Sequence, residues 1–195
     1  MMKLKLCLAG VVMALTTLKV DGGAVDRKHE PSHELHSSEA ALLAIPGSLA
    51  VEHQHLHEVL GSLVGRKEPV GSAARFLADL LEPHFQKENS DALPLLGLLA
   101  TLGRGEITDV MRPAIETSKK LKAGMPEMIA EHKSIKAALD GLRKAGERAN
   151  DRDAMEFAEE LSLHAQTEEE VLYPAAILVG AYIETQLRPS TPKNK

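Results

Sequence analysis

One cysteine, no tryptophan and an aromatic content of 3% leave several chemistries without their raw material. The single cysteine, Cys7, lies at the extreme N-terminus, which excludes an internal disulfide, an iron–sulfur site or a cysteine zinc site in a folded core. Clusters of β-branched residues with period-2 alternation are also missing, while Ala and Leu run through long segments, a composition that favours helices over strands. There is no basic field either. The formal net charge is -5 with a pI near 6.0, and no block of Lys and Arg interrupts it, so nucleic acid is not expected as a partner.

What remains is a chain of 195 residues, 44% hydrophobic and 26% charged, enough for one domain with a real core. Residues 1–24 carry Lys3 and Lys5, an apolar run from Leu6 to Leu18 and small residues at Gly22, Gly23 and Ala24. This resembles a secretory signal peptide and suggests export to the periplasm or beyond. An uncleaved membrane anchor is the alternative, because Lys19 and the region after it depart from the usual cleavage pattern; a cytoplasmic chain is the third case. Residues 25–45 read as a polar linker with a short helix over 38–45, residues 46–187 as the folded domain, and residues 188–195 as a disordered tail.

Four helices are expected in the domain. The first opens at Pro46 and ends near Gly65; the second is capped by Ser72, continues past Pro83 and reaches Gly103 with disturbances at Asn89–Asp91 and Pro94. Residues 104–124 read as an irregular or partly helical crossover, Pro126 as the start of a third helix ending at Gly146, and Asn150 or Asp151 as the cap of a fourth that stops before Pro189. The third helix repeats the first: AVEHQHLHEVLGSL (50–63) aligns with IAEHKSIKAALDGL (129–142), an offset of 79. The fourth repeats the second: HFQKENSDALP (84–94) aligns with HAQTEEEVLYP (164–174), an offset of 80. Two matches at nearly one offset indicate a duplicated helical hairpin. Each hairpin alone would expose its apolar face, so two copies close into an all-α four-helix bundle.

The apolar seams of these helices run at steps of three and four, through 49, 53, 56, 60 and 63; 77, 81, 84 and 88; 128, 132, 135, 139 and 142; and 157, 161, 164, 168 and 171. Polar groups interrupt them at His53, His84, Glu88, His132, His164 and Glu168. An unpartnered buried charge costs several kcal/mol after relaxation, and an unsatisfied neutral polar group costs roughly 1 to 3 kcal/mol, against a domain stability of about 5 to 15 kcal/mol. Something must compensate six of them. Imidazole nitrogen and carboxylate oxygen suit iron, manganese or zinc, and two carboxylates with four histidines can hold two cations by bridging. The His-x-x-x-Glu spacing puts both side chains on one face, one turn apart. A metal-free interaction module, in which the histidines and glutamates satisfy one another, is the competing reading.

The ordered set His53, His84-x-x-x-Glu88, His132, His164-x-x-x-Glu168, followed by Tyr173-Pro174, resembles the hemerythrin-like (HHE cation-binding) domain over about residues 46–185. The resemblance implies a four-helix bundle holding two non-haem iron ions, with Glu88 and Glu168 bridging and the four histidines as terminal ligands; zinc or manganese would use the same groups. It also implies a partner such as oxygen, nitric oxide or iron itself, either bound and handled or turned over by a di-iron enzyme that reduces peroxide or nitric oxide or oxidises ferrous iron. The pattern departs from oxygen-carrying hemerythrins in two respects. Their fifth histidine would fall at Lys136; His57 could replace it from the first helix as a further metal ligand, although a flanking role at the surface suits it better. The last carboxylate of those carriers would fall at Glu169, but the inward spacing and the repeat favour Glu168. His55 points off the seam, and Tyr173 reads as a packing residue with its hydroxyl at the edge of the core.

Overall fold

The computed structural model describes residues 43–188. The expected signal peptide or anchor, nearly all of the linker and the tail beyond Arg188 lie outside the described residues. Within them, 43–46 are not helical, so the short helix expected up to Ile45 does not reach that end.

The first long helix, α1, spans Gly47–Val64 and follows Pro46, whose missing N–H costs a helix start nothing. After a short loop, α2 spans Val70–Asp91 and carries Pro83 in its interior. Ser72 does not cap it: its hydroxyl donates to the Pro69 carbonyl, 3.0 Å away. The disturbance expected at Asn89–Asp91 is absent, since these residues stay helical; the chain breaks at Ala92, just before Pro94. Two short helices, α3 (Leu93–Leu96) and α4 (Leu99–Gly103), replace a continuous second helix.

The third long helix differs most from expectation. α5 spans Pro113–Ala149, so Pro126 lies inside it rather than opening it, and only a short stretch after Gly103, with a 3₁₀ turn at Asp109–Met111, is left as crossover. An interior proline removes one backbone bond. Here the segment ahead of it buries Ala114, Ile115, Ser118 and Leu121, and that packing keeps it helical. The helix ends at Asn150, which takes the left-handed conformation at φ 52°, while Asp151 N–H bonds back to the Gly146 carbonyl at 2.9 Å. Asp151 then caps α6 (Arg152–Thr167) by accepting from the Ala154 N–H at 3.2 Å.

The fourth long helix is continuous in path but not in pitch. A π-helical turn over Glu168–Leu172 joins α6 to α7 (Tyr173–Gln186). A π turn holds more residues per turn than an α turn, so the inward face moves round. Val171, expected on the seam, is 56% exposed, whereas Tyr173, Ala176, Val179 and Ile183 are buried.

These elements form a four-helix bundle in which α2 packs on α5, α5 on α6 and α7, and α1 on α2 and α6. Two separate apolar clusters result. One gathers Leu56, Leu63, Leu77, Leu81, Phe85, Ile135, Leu142, Phe157 and Leu161; the other gathers Leu93, Leu95, Met111, Leu121, Met128, Tyr173, Val179 and Ile183. Along the chain, His132 falls between Met128 of one cluster and Ile135 of the other, His164 and Glu168 between Leu161 and Tyr173, and Glu88 between Phe85 and Ala92. No helix of the described residues is long and apolar enough to cross a membrane.

The α5–α7 contact that carries the second cluster depends on Gly180. A Cβ there would meet the Ser118 Oγ at 1.9 Å and Cβ at 2.3 Å, whereas a Cβ on Gly124 would meet nothing within 4 Å. Gly180→Ala should destabilise the protein by about 1–3 kcal/mol through overpacking, while Gly124→Ala, in mid-helix, should stabilise it by about 0.5–1 kcal/mol. Urea denaturation of the two variants checks both signs.

Candidate metal centre

The seams of α1, α2, α5 and the fourth helix deliver all six predicted side chains to one buried layer. His53, His84, Glu88, His132, His164 and Glu168 are each at most 5% exposed. They form two overlapping groups, His53–Glu88–His164–Glu168 and His84–Glu88–His132–Glu168, and within each group one donor atom per residue lies within 4.8 Å of the others. Both glutamates belong to both groups.

The distances show how the carboxylates divide themselves. Glu88 turns Oε1 to His84 Nε2 (3.5 Å) and Oε2 to His53 Nε2 (3.8 Å). Glu168 turns Oε2 to His132 Nε2 (3.3 Å) and Oε1 to both His164 Nε2 (2.9 Å) and His53 Nε2 (3.7 Å). The 2.9 Å approach is a close charge contact without hydrogen-bond alignment, so both of its atoms, together with His53 Nδ1 and Nε2 and Glu88 Oε2, are buried without a hydrogen-bond partner. Five orphaned polar atoms in one layer are far outside what a folded core ordinarily tolerates.

Three of the histidines are held from behind. His84 Nδ1 bonds to Glu131 Oε2 at 3.0 Å, His132 Nδ1 to Glu169 Oε1 at 2.9 Å and His164 Nδ1 to Glu52 Oε1 at 3.0 Å. Each of these Nδ1 atoms therefore carries the proton, and in the neutral ring Nε2 is left with a lone pair. His84 Nε2 and His132 Nε2 face each other across 2.8 Å. Two lone pairs at that distance repel unless a proton or a cation lies between them. Outer carboxylates of this kind fix ring orientation and raise donor basicity at metal sites.

The electrostatics follow from the same contacts. Burial works against charge on His84, but Glu88, Glu131 and Glu168 outweigh it and raise its pKa. Burial likewise opposes charge on His164, yet Glu168 and Glu52 lift it to about 9. The two glutamates separate. Burial, reinforced by the charge of Glu168, raises Glu88, whereas burial of Glu168 is overcome by the adjacent imidazoles of His132, His164 and His53, which hold it well below the usual carboxylate range.

Tyr173 corrects an expectation. Its hydroxyl is not at the edge of the core: the residue is fully buried, donates to Glu88 Oε1 and lies 3.3 Å from His132 Nε2. Burial, then the charges of Glu88 and Glu168, push its pKa upward, so the phenol keeps its proton and stays a donor. The π turn is what brings it inward.

His57 joins neither group. It is exposed on α1 with its ring edge against Phe85, centroids 5.0 Å apart, because the seam advances from His53 by three to the buried Leu56 and His57 falls on its flank. Lys136, where a fifth histidine would stand, pairs with Glu169 at 2.9 Å. His55 is half exposed and lies 3.3 Å from Glu160, as its off-seam position predicts. Sequence reasoning missed Glu52, Glu131 and the outer role of Glu169. A signal was present: the repeat superposes Glu52 on Glu131, and each grips the histidine of a neighbouring helix.

The family model of the hemerythrin HHE cation binding domain matches residues 45–176. No curated protein and no solved structure matches the chain.

Tyr173→Phe removes the hydroxyl donor to a buried carboxylate, and a loss of roughly 1–3 kcal/mol is expected in the metal-free protein. The measurement is the urea midpoint at constant slope; an unchanged midpoint would show that the hydroxyl contributes nothing to holding Glu88.

Proposed function

Since the chain belongs to the hemerythrin HHE cation-binding domain family, we propose that its core holds two non-haem iron ions, bridged by Glu88 and Glu168, and serves to bind a small diatomic ligand such as oxygen or nitric oxide, or to handle iron. The observation that carries this reading is the division of each glutamate's two oxygens between the two histidine pairs. A carboxylate that satisfies only one cation, or none, has no reason to present an oxygen to each side of a buried layer.

In this reading His84 and His132 hold one ion, His53 and His164 the other, and all four donate through Nε2. Iron so held would supply electrons and open coordination positions for a small ligand. The protein supplies the rest: a buried layer closed by apolar clusters above and below, donors fixed by packing, and Tyr173 steadying one bridging carboxylate. Zinc or manganese would use the same donor set. The metal-free module is disfavoured by the five orphaned atoms, which a network of mutually satisfied side chains would not leave. Turnover of peroxide, nitric oxide or ferrous iron would distinguish an enzyme from a carrier.

Anaerobic loading with ferrous iron, removal of the excess and metal analysis should return about two irons per chain. Metal at 100 to 1,000 times its dissociation constant stabilises a fold by about 2.7 to 4.1 kcal/mol, so a chelator should lower the melting temperature clearly. His84→Ala and Glu168→Ala should each lose at least one iron and some stability, while His55→Ala should lose neither. Full iron content in the Glu168 variant would contradict the bridging role, and a melting temperature indifferent to chelator would favour the metal-free reading.

A further inference from the structure

The internal repeat predicts two equivalent cation positions, but the groups behind the histidines break that equivalence. At the His84/His132 position both rings are locked. Glu131 holds His84 and is itself paired with Lys87; Glu169 holds His132 and is paired with Lys136. At the His53/His164 position only His164 is held, by Glu52, whose side chain is 46% exposed against 28% for Glu131 and 25% for Glu169. His53 has no partner at Nδ1; its ring is held by packing alone, stacked on Phe85 with centroids 4.6 Å apart and edge-on to His164 at 5.1 Å.

The repeat identifies the missing group. Glu169 follows Glu168 as Asn89 follows Glu88, so the counterpart of the carboxylate that holds His132 is Asn89, which is exposed and makes no bond to His53. Glu169 lies at the start of the π turn, and α2 has no such turn at Asn89. The difference is therefore built into both the residue and the helix pitch.

We propose that the two positions are unequal: the His84/His132 position fills first and holds its cation more tightly, and the His53/His164 position fills second and empties first. Glu131 and Glu169 are the positioning residues that set this order. The proposal rests on the dinuclear reading above. An outer carboxylate fixes the tautomer that presents Nε2 to the cation and raises its basicity, and losing one such partner costs about 10–100-fold in affinity. Two effects oppose this at the tighter position. Lys87 and Lys136 offset part of the carboxylate charge, but they sit one group further out, at 37% and 38% exposure, where solvent screening weakens them. The Tyr173 hydroxyl takes one lone pair of Glu88 Oε1 and leaves the other for the cation.

The test is an anaerobic titration of the metal-free full chain with cobalt(II), following the visible d–d absorption and counting bound cobalt, with circular dichroism as the check on folding. Two steps are expected, the first at least about 10-fold tighter. Glu169→Ala should weaken the first step by about 10–100-fold and bring the two together, and Glu169→Gln, which keeps an acceptor for His132 Nδ1–H, should recover part of the loss. Glu52→Ala should weaken the second step and widen the gap. Two equal steps in the parent chain, or a Glu169→Ala effect confined to the second step, would overturn the proposal while leaving a dinuclear centre in place. No stoichiometric cobalt would overturn both.

Discussion

Two carboxylates and four imidazoles, desolvated in one layer between two apolar clusters, set the terms for the rest of this fold. Glu88 and Glu168 are fully or nearly fully buried, and their oxygens face histidines on both sides. Taking even one such charge out of water without compensation costs several kcal/mol, a large part of what a domain of this size has to spare. The helices can pack as they do only if that layer is satisfied. The apolar clusters above and below it supply the cohesion, and the layer between them holds the chemistry.

The duplicated hairpin solves the positioning problem crosswise. Glu52 on α1 grips His164 of the fourth helix, and Glu131 on α5 grips His84 of α2, so the residue that precedes each α1- and α5-type histidine orients the histidine of a neighbouring helix. Packing and ligand geometry are thereby coupled: a helix that slid along its neighbour would break the outer hydrogen bond as well as the core contact. The π turn departs from this symmetry. It turns Tyr173 into the core against Glu88 and leaves Val171 outside.

The helical seams were legible because side chains at steps of three and four lie on one face whatever the surroundings, and the repeat doubled that signal. His53, His84, Glu88, His132, His164 and Glu168 converge for that reason. What periodicity could not supply was a change of period: an α-helical extrapolation put Val171 on the seam and Tyr173 at its edge, one π turn away from where they are. Pro126 misled for a related reason, since its local cost is real but is outweighed by burial of Ala114, Ile115 and Leu121. The outer carboxylates Glu131 and Glu169 pair with histidines 47 and 37 residues away, contacts that no local pattern encodes.

On the dinuclear reading, this layer holds two cations shared by Glu88 and Glu168. Anomalous diffraction at the iron edge, from crystals of the anaerobically loaded chain, tests it most directly. Two peaks are predicted, one between His84 and His132 and one between His53 and His164, each in contact with both glutamates. A single peak, or iron bound only at surface carboxylates, would contradict the account.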